Sequence, residues 1–90
     1  MTEDRLVAIR AALESRFNPD LLDVIDESHL HEGHAGARSG RGHYRVVIVS
    51  GAFSGLGRLQ RHRAVFDALG EMMETDIHAL AIQAASPEEI

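Results

Sequence analysis

The chain contains no cysteine, no lysine and no tryptophan, and these absences exclude several functions. Without cysteine it forms no disulfide and supplies no thiolate nucleophile or thiolate metal ligand of its own. Without lysine, the glycines over residues 51–57 cannot belong to a Walker-type phosphate loop. No run approaches the ~18 consecutive apolar residues of a membrane helix, and the acidic Glu3 and Asp4 are unlike a secretory or transit segment. We therefore expect a cytoplasmic protein that does not engage a membrane.

The 90 residues suffice for one domain, which we predict to span 1–90. Fourteen acidic residues against nine basic ones give a net charge of −5, and this balance opposes non-specific binding to nucleic acid. Every basic residue apart from histidine is arginine, the cation best suited to paired contacts at interfaces. Six histidines is a high count for this length, and histidine is the commonest metal ligand.

Hydrophobic spacing predicts helices over 3–17 and 58–69 and strands over 21–27, 43–50 and 77–82. A short helical or turn segment precedes the last strand, and an exposed tail is expected from about residue 85. One apolar stripe on the first helix contains Leu6, Ile9, Leu13 and Phe17. On the second helix, the apolar residues predicted to lie on one side are Leu59, Val65, Phe66 and Leu69.

The order of these elements is αββααβ, which predicts an α+β fold. The first two strands are joined by a loop and should pair antiparallel, whereas a helical crossover favours parallel pairing of the second and third. The expected architecture is a two-layer sandwich, in which helices cover one face of a three-stranded mixed sheet.

The loop at 28–42 is rich in glycine and carries three histidines, His29, His31 and His34. A loop of this length in a compact domain is uncommon and often functional. Histidines on such a loop could meet a metal ion, although closed zinc sites need about four ligands, often with a thiolate or carboxylate among them. By spacing alone, solvated histidines without a ligand are the more frequent alternative.

A second feature is the sequence Arg61-His62-Arg63 near the start of the second helix. His62 falls close to the centre of the predicted apolar stripe, where a histidine is more often a core or boundary residue than a ligand. Its position near a helix end favours partial exposure. No motif of nucleophilic catalysis accompanies these residues, because Ser28 lacks the G-x-S-x-G elbow, and we expect a protein that is not an enzyme.

Taken in order, several segments resemble the BolA family. The strand HYRVVIVS at 43–50 resembles the family's H-F-x-V-x-I-V-S, and LQRHR at 59–63 resembles its R-H-R signature. The other matching segments are Glu27-Ser28-His29, Phe53-Ser54-Gly55-Leu56, Ile77-His78-Ala79-Leu80 and Ser86-Pro87-Glu88. Several linked motifs over nearly the whole chain are far more specific than any one of them.

The resemblance implies a fold like that of class II KH domains, and a role beside a monothiol glutaredoxin in iron–sulfur trafficking or iron sensing. In such heterodimers a [2Fe–2S] cluster is shared, and the glutaredoxin cysteine and glutathione supply thiolates. The implied ligands from this chain are His62 and one loop histidine. Counting from Glu27-Ser28 gives His31, and counting back from His43 gives His34. The isolated chain is expected to hold no tightly bound cofactor and to be a monomer or weak homodimer.

Two alternatives remain open. Some BolA proteins are described as regulators that bind DNA through the KH-like face, and Arg58, Arg61 and Arg63 are the candidate contacts for DNA or for a partner. The chain could also bind a metal ion alone through the three histidines of the loop.

Overall fold

A computed structural model describes residues 2–28 and 42–90 of the chain. Its helices are α1 (Thr2–Phe17), α2 (Arg58–Leu69) and the single turn α3 (Met72–Thr75). The strands are β1 (Leu21–Asp26), β2 (Gly42–Val49) and β3 (Ile77–Ala85), and short 3-10 turns follow β2 at Gly51–Phe53 and β3 at Pro87–Glu89. The predicted order αββααβ is confirmed, although β3 extends beyond the expected end at residue 82.

The three strands form one sheet in the order β1-β2-β3. β1 pairs antiparallel with β2, and β2 pairs parallel with β3, as the connections predicted. The parallel register shifts between Gly42, opposite Ile77, and His43, opposite Ala79. β3 therefore has one extra residue, His78, at the point where it enters the sheet.

The core lies between the helices and one face of this sheet. The predicted stripe of α1 is confirmed, because Ile9 and Leu13 are fully buried and Phe17 nearly so. Tyr44 and Ile48 of β2 face the same core. β1 alternates between exposed and half-buried residues, as expected for a strand with one covered face.

The turn after β2 positions the start of α2. The Ser50 hydroxyl donates to the Phe17 carbonyl (2.7 Å) and accepts from the Ala52 amide (3.1 Å), so it ties the end of α1 to this turn. Phe53 is fully buried, and its ring centroid lies 4.9 Å from that of Phe17. α2 thus starts from an anchored turn.

The predicted apolar stripe of α2 is wrong in two of its members. Val65 and Leu69 face the core, but Leu59 is 62% exposed and Phe66 is 38% exposed. At about 100° per residue, Leu59 and Phe66 share one direction, which lies roughly 90° around the helix from that of Val65 and Leu69. Hydrophobicity alone did not separate the buried residues from the exposed ones.

The expected exposed tail is partly corrected. Residues 87–90 are exposed, but Ser86 is only 1% exposed, and the last residues form a hydrogen-bonded turn. The predicted loop at 28–42 lies, apart from its two end residues, outside the described residues. Within residues 2–28 and 42–90, no helix is long and apolar enough to span a membrane.

Candidate functional site

The beginning of α2 forms one wall of a groove of about 520 Å³ whose opposite wall is the end of β3. Gly57 precedes the helix in an extended conformation, and its amide donates to the Gln60 side chain (2.8 Å). His62 lies in the next turn, half-buried, and lines the groove opposite Ile82 and Gln83. The sequence predicted a core or boundary residue with partial exposure near the helix end, and the structure places His62 at the boundary between core and solvent.

Arg61 points into the protein rather than outward. Its Nε donates to the Leu56 carbonyl (2.9 Å), and its Nη1 donates to the Ala84 carbonyl (3.1 Å) and to Glu89 Oε1 (2.6 Å). Only 12% of its side chain is exposed. The guanidinium of Arg61, one of the candidate contacts for DNA or a partner, is therefore already engaged by this chain.

The last turn of the chain closes over the same region. Glu89 Oε1 accepts from the Ser86 amide (2.7 Å) and hydroxyl (2.9 Å) as well as from Arg61. The Ser54 hydroxyl donates to Glu88 Oε1 (2.7 Å). The hydrogen bond from Arg61, together with those from Ser86, lowers the pKa of Glu89 to about 2. The contact is therefore a charged pair at neutral pH.

The outer face of α2 carries an unusual combination of side chains. Leu59, His62 and Phe66 follow the spacing i, i+3, i+7 and so share one side of the helix. Arg58 and Arg63 are exposed beside them, and neither forms an ion pair with another residue of the described ranges. We call the set Leu59, His62, Arg63 and Phe66 the α2 outer face.

The histidines fall into separate groups. His29, His31 and His34 lie outside the described residues, so the structure does not place them. His43 opens the central strand β2 and is only 7% exposed, and its ring centroid lies 5.1 Å from that of His78. Sequence analysis missed this pair because the contact depends on the register shift between β2 and β3.

The ends of the histidine-containing segment are fixed to the sheet. The His43 amide donates to the Ser28 hydroxyl (3.0 Å), and the Glu27 amide donates to the His43 carbonyl (2.8 Å). Arg45 pairs with Glu27 beside them (3.0 Å). The segment 29–41 therefore leaves and rejoins the sheet where β3 begins, whereas His62 lies beside the end of β3.

The donors within the described ranges do not complete a metal site. No three His, Asp or Glu side chains lie together there in a way that could hold a metal ion. An imidazole such as that of His62 can serve only as one ligand among several, as imidazoles do at some iron–sulfur clusters. The remaining ligands would have to come from residues 29–41 and from another molecule.

Comparison with known proteins identifies the family. The family model described as "BolA-like protein" matches residues 13–89. The chain is 45% identical over 82 residues to mouse "BolA-like protein 1", covering 91% of this chain but only 58% of that protein. It is 40% identical over 81 residues to "DNA-binding transcriptional regulator BolA" of Escherichia coli, covering 90% of this chain and 74% of the relative.

Solved structures agree with this assignment. The BolA domain of SufE1 from Arabidopsis thaliana superposes with a TM-score of 0.85 at 38% identity, covering 96% of this chain and 95% of that domain. Both the sequence matches and the structural match cover at least 90% of this chain. The names of the relatives describe BolA-like proteins and regulators rather than enzymes. The chain belongs to the BolA family.

Proposed function

We propose that this protein is a non-enzymatic partner of a monothiol glutaredoxin and co-ligates a bridged [2Fe–2S] cluster through His62 and a loop histidine, in iron–sulfur trafficking or iron sensing. The observation that carries the proposal is the half-buried imidazole of His62 on an open groove. A fully buried histidine could not reach a second protein, and a fully exposed one would lose more side-chain freedom on ligation.

The α2 outer face supports docking of a partner at this point. Leu59 and Phe66 are exposed apolar side chains within one or two helical turns of His62. Burying them against another protein is favourable by about 25 cal/mol per Å² of apolar surface. The adjacent Arg58 and Arg63 favour a partner that presents carboxylates around an apolar centre, because such an arrangement is electrostatically complementary.

The ligand chemistry suits a shared cluster. A neutral imidazole binds iron through one ring nitrogen, so ligation weakens as the pH falls and protons compete for that nitrogen. The chain contains no cysteine, so any thiolates must come from the partner and from glutathione. Replacing thiolate by imidazole raises the reduction potential of a [2Fe–2S] cluster.

His31 and His34 are both proposed as alternatives for the second ligand. Ser28 follows β1, at the opposite edge of the sheet from β3, and His62 lies beside Ile82, five residues along β3. A ligand reached from Ser28 must therefore cross about 10 Å of sheet as well as about 16 Å along β3. The side chains and the cluster add reach at both ends, so chain length does not choose between the two histidines, and their substitutions are compared directly.

The experiment reconstitutes the cluster on a mixture of this protein, a monothiol glutaredoxin and glutathione. Visible circular dichroism and EPR of the reduced cluster are compared for wild type, His62→Ala, His31→Ala and His34→Ala. We expect His62→Ala, and one of His31→Ala and His34→Ala, to convert the spectra toward those of the glutaredoxin alone. His78→Ala is the matched control, because His78 is exposed on β3 and is not among the proposed ligands. Wild-type spectra for His62→Ala would contradict the proposal.

A second candidate function is regulation of transcription by binding DNA. It is favoured by the name of the Escherichia coli relative and by the exposed arginines Arg58 and Arg63 near the start of α2. The net charge of −5 and the internal role of Arg61 oppose high affinity. Both functions fit the cytoplasm, which we propose as the compartment.

Salt dependence tests the second candidate. Two phosphate contacts would give a slope of about −1.8 in log affinity against log salt, since each contact contributes about −0.9. Arg58→Ala and Arg63→Ala should each reduce that slope by about one contact, and Arg16→Ala on α1 is the control. A preference for one DNA sequence that survives both substitutions would place the DNA contact elsewhere.

A further inference from the structure

The arginine before His62 has three acceptors in three segments of the fold, and two of these segments lie more than 20 residues from it in sequence. Leu56 lies in the turn before α2, Ala84 near the end of β3, and Glu89 in the last turn of the chain. A single guanidinium therefore joins the segments that surround the groove. Arginine suits this role because its donors have a fixed planar geometry.

We infer that Arg61 is a positioning residue, which together with Glu89 and Ser86 holds the first turns of α2 so that His62 is presented at the groove in one orientation. This inference rests on the proposed function for its purpose, but the arrangement itself is a property of the isolated chain. Arg61 and His62 are consecutive on one helix, so a fixed guanidinium limits rotation and fraying of the backbone that carries the imidazole.

The start of α2 needs such support. Its first residue follows Gly57, which offers no side chain to cap the helix, and Leu59 on the first turn is exposed instead of packed. Helix ends with few buried contacts open locally at low free-energy cost. The Arg61 contacts replace the missing packing with hydrogen bonds to a charged group, which are among the stronger ones.

The C-terminal turn supplies Glu89, the acidic partner of Arg61. Glu89 Oε1 accepts from Arg61 and also from the amide and hydroxyl of Ser86, which is almost fully buried. The carboxylate is therefore oriented by its own turn before it meets the arginine. Preorganised ligands bind with less loss of conformational entropy than mobile ones, so a fixed His62 would favour partner and cluster binding.

The first test uses the isolated chain and needs no cluster. NMR follows the His62 ring signals and the amide exchange of α2 in wild type, Arg61→Ala, Arg61→Lys and Glu89→Ala, with Arg63→Ala as the matched arginine control. We expect Arg61→Ala to accelerate amide exchange in the first two turns of α2 by about tenfold or more. Arg61→Lys should restore part of the protection, because lysine keeps the charge but not the forked donors.

Glu89→Ala addresses the case in which Arg61→Ala fails to fold. It removes an exposed side chain and leaves both carbonyl contacts of Arg61 available. We expect intermediate exchange rates and shifted His62 ring signals. Wild-type exchange and ring signals in both folded Arg61→Ala and Glu89→Ala would overturn the inference.

The second test repeats the measurement with glutaredoxin, glutathione and cluster. Loss of positioning should broaden or shift the EPR signal of the reduced cluster in Arg61→Ala, while Arg16→Ala, at an exposed arginine of α1 outside the proposed docking surface, leaves the signal unchanged. If wild type holds no shared cluster, the proposed function fails, whereas the NMR result still decides the role of Arg61. A shared cluster whose EPR signal is identical in wild type and Arg61→Ala would contradict the positioning role.

Discussion

Replacing Gly42 by alanine should destabilise the protein, because the space for a side chain at this position is filled. Gly42 is buried at the first position of β2. A Cβ atom placed there would lie 2.5–2.7 Å from the far end of the Tyr44 ring. Tyr44 is itself only 2% exposed and packs in the core, so its ring must shift against buried neighbours to admit the Cβ atom.

The expected cost follows from overpacking. Forcing one extra carbon into a well-packed core typically costs about 1–3 kcal/mol. For a domain of this size each kcal/mol lowers the melting temperature by about 4–8 °C. Gly42→Ala should therefore lower the melting temperature by about 4–24 °C.

Gly51→Ala is the matched control for this substitution. A Cβ atom at Gly51 meets nothing within 4 Å, and the residue is exposed. This variant should stay within about 1 kcal/mol of wild type, with a small gain where alanine restricts the unfolded chain. The chain has one tyrosine and no tryptophan, so intrinsic fluorescence reports on Tyr44 directly during urea unfolding. Equal stability of Gly42→Ala and Gly51→Ala would refute the argument.

Three further predictions concern the Arg61–Glu89 pair, the turn after β2 and the α2 outer face. Because folding lowers the pKa of Glu89 from 4.5 to about 2, its contribution to stability is complete above pH 4.5 and is lost as the pH falls toward 2; an NMR titration should show this pKa returning toward 4.5 in Arg61→Ala. Ser50→Ala leaves the Phe17 carbonyl and the Ala52 amide without their partner and should cost about 1–3 kcal/mol in urea unfolding, and a cost near zero would mean that other groups satisfy them. Phe66→Ser should weaken glutaredoxin binding, measured by calorimetry, with little loss of stability. Val7→Ser makes the same kind of apolar-to-polar change on the exposed side of α1 and should leave binding unchanged. Equal effects of the two substitutions would show that the α2 outer face is not part of the interface.

Much of the fold follows from short-range patterns. The stripe of α1 and the alternation of β1 appear in the sequence with their correct periods, and the connection lengths decide antiparallel or parallel pairing. The bounds of α2 were also predicted, because Gly57 and Gly70 enclose the helical segment. These features depend on residues close together in the chain.

The sequence-based predictions fail where contacts between residues distant in the chain decide which side chains are buried or paired. Leu59 and Phe66 resemble core residues, but the buried residues of α2 are Val65 and Leu69, about a quarter turn around the helix. Arg61 resembles a surface cation, yet two of its three acceptors, Ala84 and Glu89, lie more than 20 residues away. Neither contact leaves a periodic signal in the sequence.

Sequence analysis singled out His62 as a candidate ligand, but it did not predict the groove that surrounds this residue. His62 was singled out from the R-H-R motif, and the structure places it on an open groove. The groove itself depends on β3 continuing to Ala85 and on the turn at Pro87–Glu89, both of which the sequence pattern underestimated. The pairing of His43 with His78 required the register shift of the parallel strands.

The most direct test of the central claim is pulsed EPR of the reduced cluster shared with a glutaredoxin, using this protein labelled with ¹⁵N-histidine. The proposal predicts nitrogen couplings that change from ¹⁴N to ¹⁵N with the label, and the loss of one of them in His62→Ala. Couplings that do not respond to the label would show that no histidine of this chain touches the iron, and would contradict the account.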